Sequence, residues 1–277
     1  MAAAVDDILA VRLRSQEPGL WISDAASTVS YPEDGANRCR LIEDWSYWFT
    51  HRNACITAAL AHHPPRGPVW DIGGGNGVVA HAIVVAGGEA VVVEPGPAGA
   101  GHARARGLPV IQAAWSDGLV RPGCLPAAGL FDVVEHIADD VGFMRSIHGA
   151  LAPGCPVYLT VPAHAALWSD EDTVAGHHRR YSPESLRSLL IATGFTPITI
   201  GGMFAALRLP IWLLRALPDR CGLGRKSGAA YQQEHRLPGG LLGSYLRRSF
   251  AQEVAGFAGG RPRLAGASLL AVAVRHG

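Results

Sequence analysis

The feature that most constrains this chain is an alternation. Short apolar runs at 69–72, 90–93, 109–112, 128–134 and 157–161 are separated by helix-like stretches at 76–86, 97–106 and 139–151. Apolar runs of that length, bounded by breakers, read as strands buried on both faces, and hence as a parallel sheet. Strands and helices in alternation imply a doubly wound sheet with right-handed crossovers. Ser182-Pro183-Glu184 opens a further helix, with serine as N-cap and proline at the first position, ending near Thr193-Gly194. β-branched runs at 196–200 and 268–274 supply two last strands. The expectation is an α/β, doubly wound, Rossmann-like seven-stranded sheet. It carries an N-terminal helical cap (1–66), a core (67–202), a basic helical insertion or lid (203–263) and a last core strand (264–277).

Ligands of such sheets bind beyond the carboxyl ends of the strands. Asp71, Glu94, Asp132 and Pro162 all fall at such ends. The first end continues as Asp71-Ile72-Gly73-Gly74-Gly75-Asn76-Gly77, with glycines at 73, 75 and 77. A dinucleotide site uses Gly-x-Gly-x-x-Gly and rests a pyrophosphate on the helix N-terminus. Here the glycine spacing differs, and Asp71 would repel a pyrophosphate. The arrangement suits a ligand with an ammonium group and no phosphate, such as S-adenosylmethionine. Glu94, followed by Pro95, can accept two hydrogen bonds from a ribose diol. The plainer reading is that the glycines form only a tight strand-to-helix turn.

Composition narrows the class. A net charge of +1 argues against bulk binding of nucleic acid. Five cysteines, at 39, 55, 124, 155 and 221, show no Cys-x-x-Cys pair, which points to a reducing cytoplasm rather than a disulfide framework. The first residues lack a secretory pattern, and the longest apolar candidate, 203–217, is broken by Arg208, Pro210 and Arg215, so no transmembrane segment is expected. The insertion is unusual: ten basic residues, Lys226 (the sole lysine) among them, face Asp219, Glu234 and Glu253, a net of +7. It reads as a helical pair on the sheet or in a homodimer interface, as an acceptor cover, or as a weak contact with a membrane surface.

The motifs together resemble a family. Trp48-Phe49-Thr50-His51-Arg52-Asn53, Phe131-Asp132-Val133-Val134-Glu135-His136-Ile137, and the block from Pro153 through Gly176-His177-His178-Arg179-Arg180-Tyr181 are similar to those of bacterial class I S-adenosylmethionine-dependent methyltransferases. The resemblance covers about 42–200 and the final strand. It implies a methyl transfer to a small-molecule acceptor, most simply a hydroxyl oxygen of a natural product or sugar, in a setting of bacterial secondary metabolism. N- or C-methylation is the alternative within enzymes. A catalytically idle cofactor-binding subunit and a nicotinamide-dependent oxidoreductase are the rivals outside it. One departure concerns the adenine: the position of the usual acid is held by Ala114, leaving Trp115 to stack or Asp117 to substitute. Another is Pro126, near where a second acid is expected.

Methyl transfer needs positioning and a destination for the acceptor's proton. The spacing Asp132-x-x-Glu135-His136 is similar to the divalent-metal site of related O-methyltransferases, in which an ion suited to oxygen and imidazole, Mg²⁺ or Mn²⁺, holds the acceptor oxygens. His177 or His178 is a further ligand in that reading. The metal-free alternative makes His136 the general base; the plainest has Asp132 beside the cofactor and Glu135 capping a helix. Arg179 and Arg180 either bind an anionic acceptor group or pin their own loop. Trp45, Tyr47, Trp48 and Phe49 are core packing, or a roof over the cofactor with Arg52 reaching its carboxylate.

Overall fold

The structure is a computed structural model and describes residues 5–11, 13–23, 35–222 and 235–276. Lys226 and Glu234 lie outside the described residues. The strands are β1 (Arg14–Glu17), β2 (Leu20–Ile22), β3 (Val69–Ile72), β4 (Ala90–Val93), β5 (Val110–Gln112), β6 (Ala128–Phe131), β7 (Pro156–Pro162), β8 (Phe195–Met203) and β9 (Ser268–Arg275). They form one nine-stranded sheet in the order β1-β2-β5-β4-β3-β6-β7-β9-β8. From β2 to β7 neighbours are parallel; β9 runs antiparallel to both β7 and β8. The order reverses between β3 and β6, which opens the crevice at their carboxyl ends.

Seven of these strands are the expected ones; the other two correct the expectation. The segment assigned to a helical cap contributes β1 and β2, with β2 pairing in parallel with β5. The run Arg14-Ser15-Gln16-Glu17 is polar because it is the sheet edge, where a strand carries no apolar alternation to read. Trp21 supplies the apolar anchor of this edge; it is buried, and its ring N–H donates to Asp6.

The helices are α1 (Gly35–Arg40), α2 (Tyr47–His62), α3 (Val78–Val85), α4 (Pro97–Ala105), α5 (Asp140–Ala150), α6 (Asp170–Ala175), α7 (Pro183–Ala192) and α8 (Gly240–Ala258). Strand residues alternate between two cores, as a period of two requires. Trp70, Ile72, Val91 and Val93 face the core of α5 and α7, whereas Val69, Ala90 and Val92 face that of α2, α3 and α8. The insertion continues from β8 as a helical stretch, Arg208–Ile211, a π turn at Trp212–Ala216 and Leu217–Arg220, and returns as α8, which packs along α2. Among the described residues no helix is long and apolar enough to cross a membrane.

Candidate active site

After β3 the chain reverses through Gly73, Gly75 and Gly77, with φ of 72°, 52° and 72°. Gly77 is required twice over. Its φ is left-handed, and a Cβ there would lie 2.6 Å from Leu108 Cδ1 and 2.9 Å from Ala103 Cβ. Glu94, at the end of β4, holds the loop: its carboxylate accepts from the amides of Gly75 (2.9 Å) and Gly96 (2.7 Å). Those bonds use two of roughly four acceptor positions and leave the others for a ligand's hydroxyls. Burial raises the Glu94 carboxyl, and the two amides oppose that shift. Pro95 is half-buried and leads through Gly96 into α4.

Asp71 is fully covered beneath this loop. Neither of its carboxylate oxygens has a hydrogen-bond partner of good geometry, although the Ala80 amide is near enough to ease ionisation. Burial pushes the carboxyl up to about 7 against the lowering pull of the Arg52 charge. A buried, unpartnered carboxylate favours a cation above it. Asn76 behaves differently from the expectation. Its amide donates to the Ala36 carbonyl (2.8 Å) and to Glu43 (2.9 Å), and its oxygen lies 2.9 Å from His102 Nδ1. Its side chain is spent on tying the 35–46 segment to α4, with Arg106 bridging Glu43 and Asp44.

The second half of the site begins where β6 ends, three residues earlier than the apolar run suggested. Asp132 takes a left-handed φ of 57° and turns the chain into a 3-10 turn, Val134–His136. Asp132 accepts from Thr160 Oγ1 at 2.8 Å and is ion-paired with Arg52. The turn aims Glu135 and His136 at His177, so that one ligand atom from each lies within 4.8 Å of the others. Glu135 is buried with one carboxylate oxygen unpartnered; burial, then the neighbouring Asp132 charge, raises its pKa well above the usual range. His136 is lowered to about 4 by burial and by His177, so its imidazole is neutral at neutral pH. The two rings meet edge to face at 4.7 Å.

Sequence reading grouped Asp132 with Glu135 and His136. The structure gathers Glu135, His136 and His177 instead, because Arg52 and Thr160 occupy Asp132. His178 does not join the cluster: its side chain is exposed, and its backbone N–H donates to the Glu135 carbonyl. The arginines pin their loop. Arg180 makes a two-pronged pair with Asp172 (2.8 and 2.9 Å), and Arg179 pairs with Asp140 (2.7 Å), which also accepts from the buried Tyr181 hydroxyl. Asp172 also fixes His177 through Nδ1 at 2.8 Å. Burial alone would raise the Asp172 carboxyl, but His177 and Arg180 hold it below the ordinary range.

Over this rim lies α2. Trp48 stacks on Phe204 with centroids 3.8 Å apart and planes 4° apart. Phe204 follows β8 with φ 61°, and its amide and that of Ala205 donate to Glu253, which is also bonded to His51 at 2.7 Å. Arg52, one helical turn beyond Trp48, is buried, and its charge acts on both Asp71 and Glu135. Trp115 is half-buried, and its ring N–H donates to Ser146 Oγ at 2.8 Å; Asp117 is exposed. Sequence reading missed Thr160, Asp172, Phe204 and Glu253. Only Asp172 carried a signal, the capping-box spacing Ser169-x-x-Asp172.

The methyltransferase-domain family model matches residues 36–200, more than half of the chain. A Mycobacterium tuberculosis protein named as an S-adenosylmethionine-dependent methyltransferase is 26% identical over 168 residues, 59% of this chain. The chain spans 61% of that relative's length. Among solved structures, the fold is similar to a chain of the Haloferax volcanii complex between the Trm112 methyltransferase activator and a methyltransferase (TM-score 0.56, 17% identity, 90% of this chain and 100% of that one). It is also similar to the Haemonchus contortus phosphoethanolamine N-methyltransferase 2 in complex with S-adenosylmethionine (TM-score 0.54, 18% identity, 92% and 61%). The family match over residues 36–200 closes the question of kinship: the chain belongs to the methyltransferase-domain family.

Proposed function

We propose that this protein transfers the methyl group of S-adenosylmethionine to a hydroxyl oxygen of a small-molecule acceptor, a natural product or a sugar. The observation that carries the reading is the convergence of Glu135, His136 and His177 at the carboxyl edge of the sheet, beside the Asp71–Glu94 cofactor loop. When the methyl–sulfur bond of a sulfonium breaks, the group that leaves is a neutral thioether, which needs little help. What the protein must supply is alignment, and a group that takes or weakens the hold on the acceptor's proton. His136 is neutral at ordinary pH and so can accept a proton, although the burial that keeps it neutral also makes it a weaker base than an exposed imidazole.

In this reading Asp71 faces the cofactor's ammonium end, Glu94 accepts from the ribose hydroxyls, and Arg52 serves its carboxylate. Gly73, Gly75 and Gly77 let the backbone approach. Trp48, with Phe204 behind it, roofs the cleft. Trp115 and Pro95 flank the nucleoside side, and Asp132 joins the two halves.

The same cluster fits a divalent cation. Glu135 has an unpartnered oxygen, His136 is neutral, and His177 is oriented by Asp172. Two imidazoles with one carboxylate favour Mn²⁺ over Mg²⁺. When bound, the ion would lower the pKa of an acceptor hydroxyl. Without it, His136 acts as the base. N- or C-methylation is the second reading, since a base at this position can take the proton of an amine or carbon acceptor as well as that of a hydroxyl.

Two measurements test the proposal. S-adenosylhomocysteine should raise the melting temperature by linkage, and NAD(H) should not; the reverse pattern defeats the reading. Label from methyl-labelled S-adenosylmethionine should then pass to hydroxyl acceptors in a panel that also holds amines and carbon nucleophiles. Transfer confined to the amines defeats the O-directed assignment, and a rate unchanged by EDTA rejects the metal.

A further inference from the structure

The insertion presents a surface that methyl transfer does not use. Both of its helical segments bury one side in the same apolar cluster, Ile211 and Trp212 from the first and Leu246, Phe250 and Phe257 from α8. Their opposite sides are apolar as well. Leu209 and Leu214 are 62% and 71% exposed, and Leu241 and Tyr245 are 91% and 60% exposed, with Leu213 and Leu242 beside them. Leu241 and Tyr245 lie one turn apart, and Arg248 continues the same stripe of α8. Exposed apolar side chains grouped in this way mark an interaction surface more often than scattered ones do.

Charge identifies the partner. The described part of the insertion carries eight arginines against Asp219 and Glu253, and one of the eight, Arg215, is paired with Glu171 of α6. Glu253 is buried and engaged by His51 and two backbone amides, so it does not offset the surface charge. The insertion as a whole has a net of +7 in a chain of net +1, which leaves −6 on the remainder. The charge is thus divided unevenly along the chain, and the exposed leucines belong to its basic segment. Nucleic acid would use the arginines and leave the leucines in water. A bilayer with anionic headgroups takes both, acyl chains receiving Leu241 and Tyr245 while headgroups meet Arg247 and Arg248. We propose that the insertion docks the protein peripherally on an anionic lipid surface.

The test is flotation of the full chain with phosphatidylcholine vesicles, and with the same vesicles carrying about one third phosphatidylglycerol, enough for a negative surface potential. Binding is expected to the anionic vesicles only, and to weaken with salt. The double variants Leu241→Glu with Tyr245→Glu, and Arg247→Glu with Arg248→Glu, should each lower partitioning at least about tenfold. These positions are exposed, and an unchanged thermal melt verifies that the variants fold. Three outcomes overturn the proposal: no binding to anionic vesicles, binding indifferent to both variants, or a dimer in light scattering that the Leu241/Tyr245 variant splits, which would assign the face to a second copy of the chain.

Discussion

The two halves of the sheet turn their chains in different ways. On the β3–β4 side the reversals at the carboxyl edge use glycine, at 73, 75 and 77. On the β6–β7–β8 side, among the described residues, the left-handed residues that carry a side chain are Asp132, His164 and Phe204, with φ of 57°, 59° and 61°. A left-handed residue with a side chain costs on the order of 1–3 kcal/mol and persists where the surroundings over-determine it. Here they do: Thr160 and Arg52 hold Asp132, and Glu253 and Trp48 hold Phe204. In the function proposed above, the first half offers bare backbone to the cofactor, and the second half spends strain to aim particular side chains at the acceptor. Arg52 stands between them, paired with Asp132 and acting on Asp71.

Removing the proton-handling group should break the second half while sparing the first. His136→Ala is expected to lower methyl transfer about 10²–10⁴-fold, the range for a general base, in a steady-state assay with an accepted hydroxyl substrate. A loss under tenfold would mean the cluster is structural. The glycine half is sharpened by Gly77→Ala, which forces a left-handed alanine against Leu108 and Ala103. Urea unfolding should show a loss of about 1–3 kcal/mol. The smallest effect concerns Asp71. A carboxyl raised to about 7 in the folded state contributes stability that is present below its unfolded value near 3.8 and lost as pH rises through about 7. Asp71→Asn should therefore melt a few degrees above the parent at pH 8 without ligand, and the gap should shrink at pH 5. An equal gap at both values would place the charge elsewhere.

The same contrast explains what the sequence disclosed. The glycines, Asp71 and Glu94 announce themselves because local spacing alone places them. β3, β4, α4 and the Ser182-Pro183 cap were readable for the same reason, each being fixed by neighbours in the chain. The Glu135–His177 side was readable only in part. Glu135 and His136 share a turn, but their meeting with His177 depends on a loop held by Asp172 and Arg180. Asp132 looked like a partner in that cluster, and only the position of α2 puts Arg52 against it. Asn76 sat inside the glycine motif, yet its partners at 36, 43 and 102 are set by tertiary packing. The polar edge strand β1 leaves no periodic signal, and β2, Leu20-Trp21-Ile22, is only three residues long, too short a run to show a period.

The central claim, that cofactor binding and acceptor chemistry reside in separate halves, is tested most directly by calorimetric titration of S-adenosylhomocysteine into the parent, Glu94→Ala and His136→Ala. Loss of a carboxylate that accepts two hydrogen bonds should weaken binding about 100-fold in Glu94→Ala. His136→Ala should bind within about threefold of the parent, a difference under 1 kcal/mol. Equal losses in the two variants, or no binding by the parent, would contradict the account.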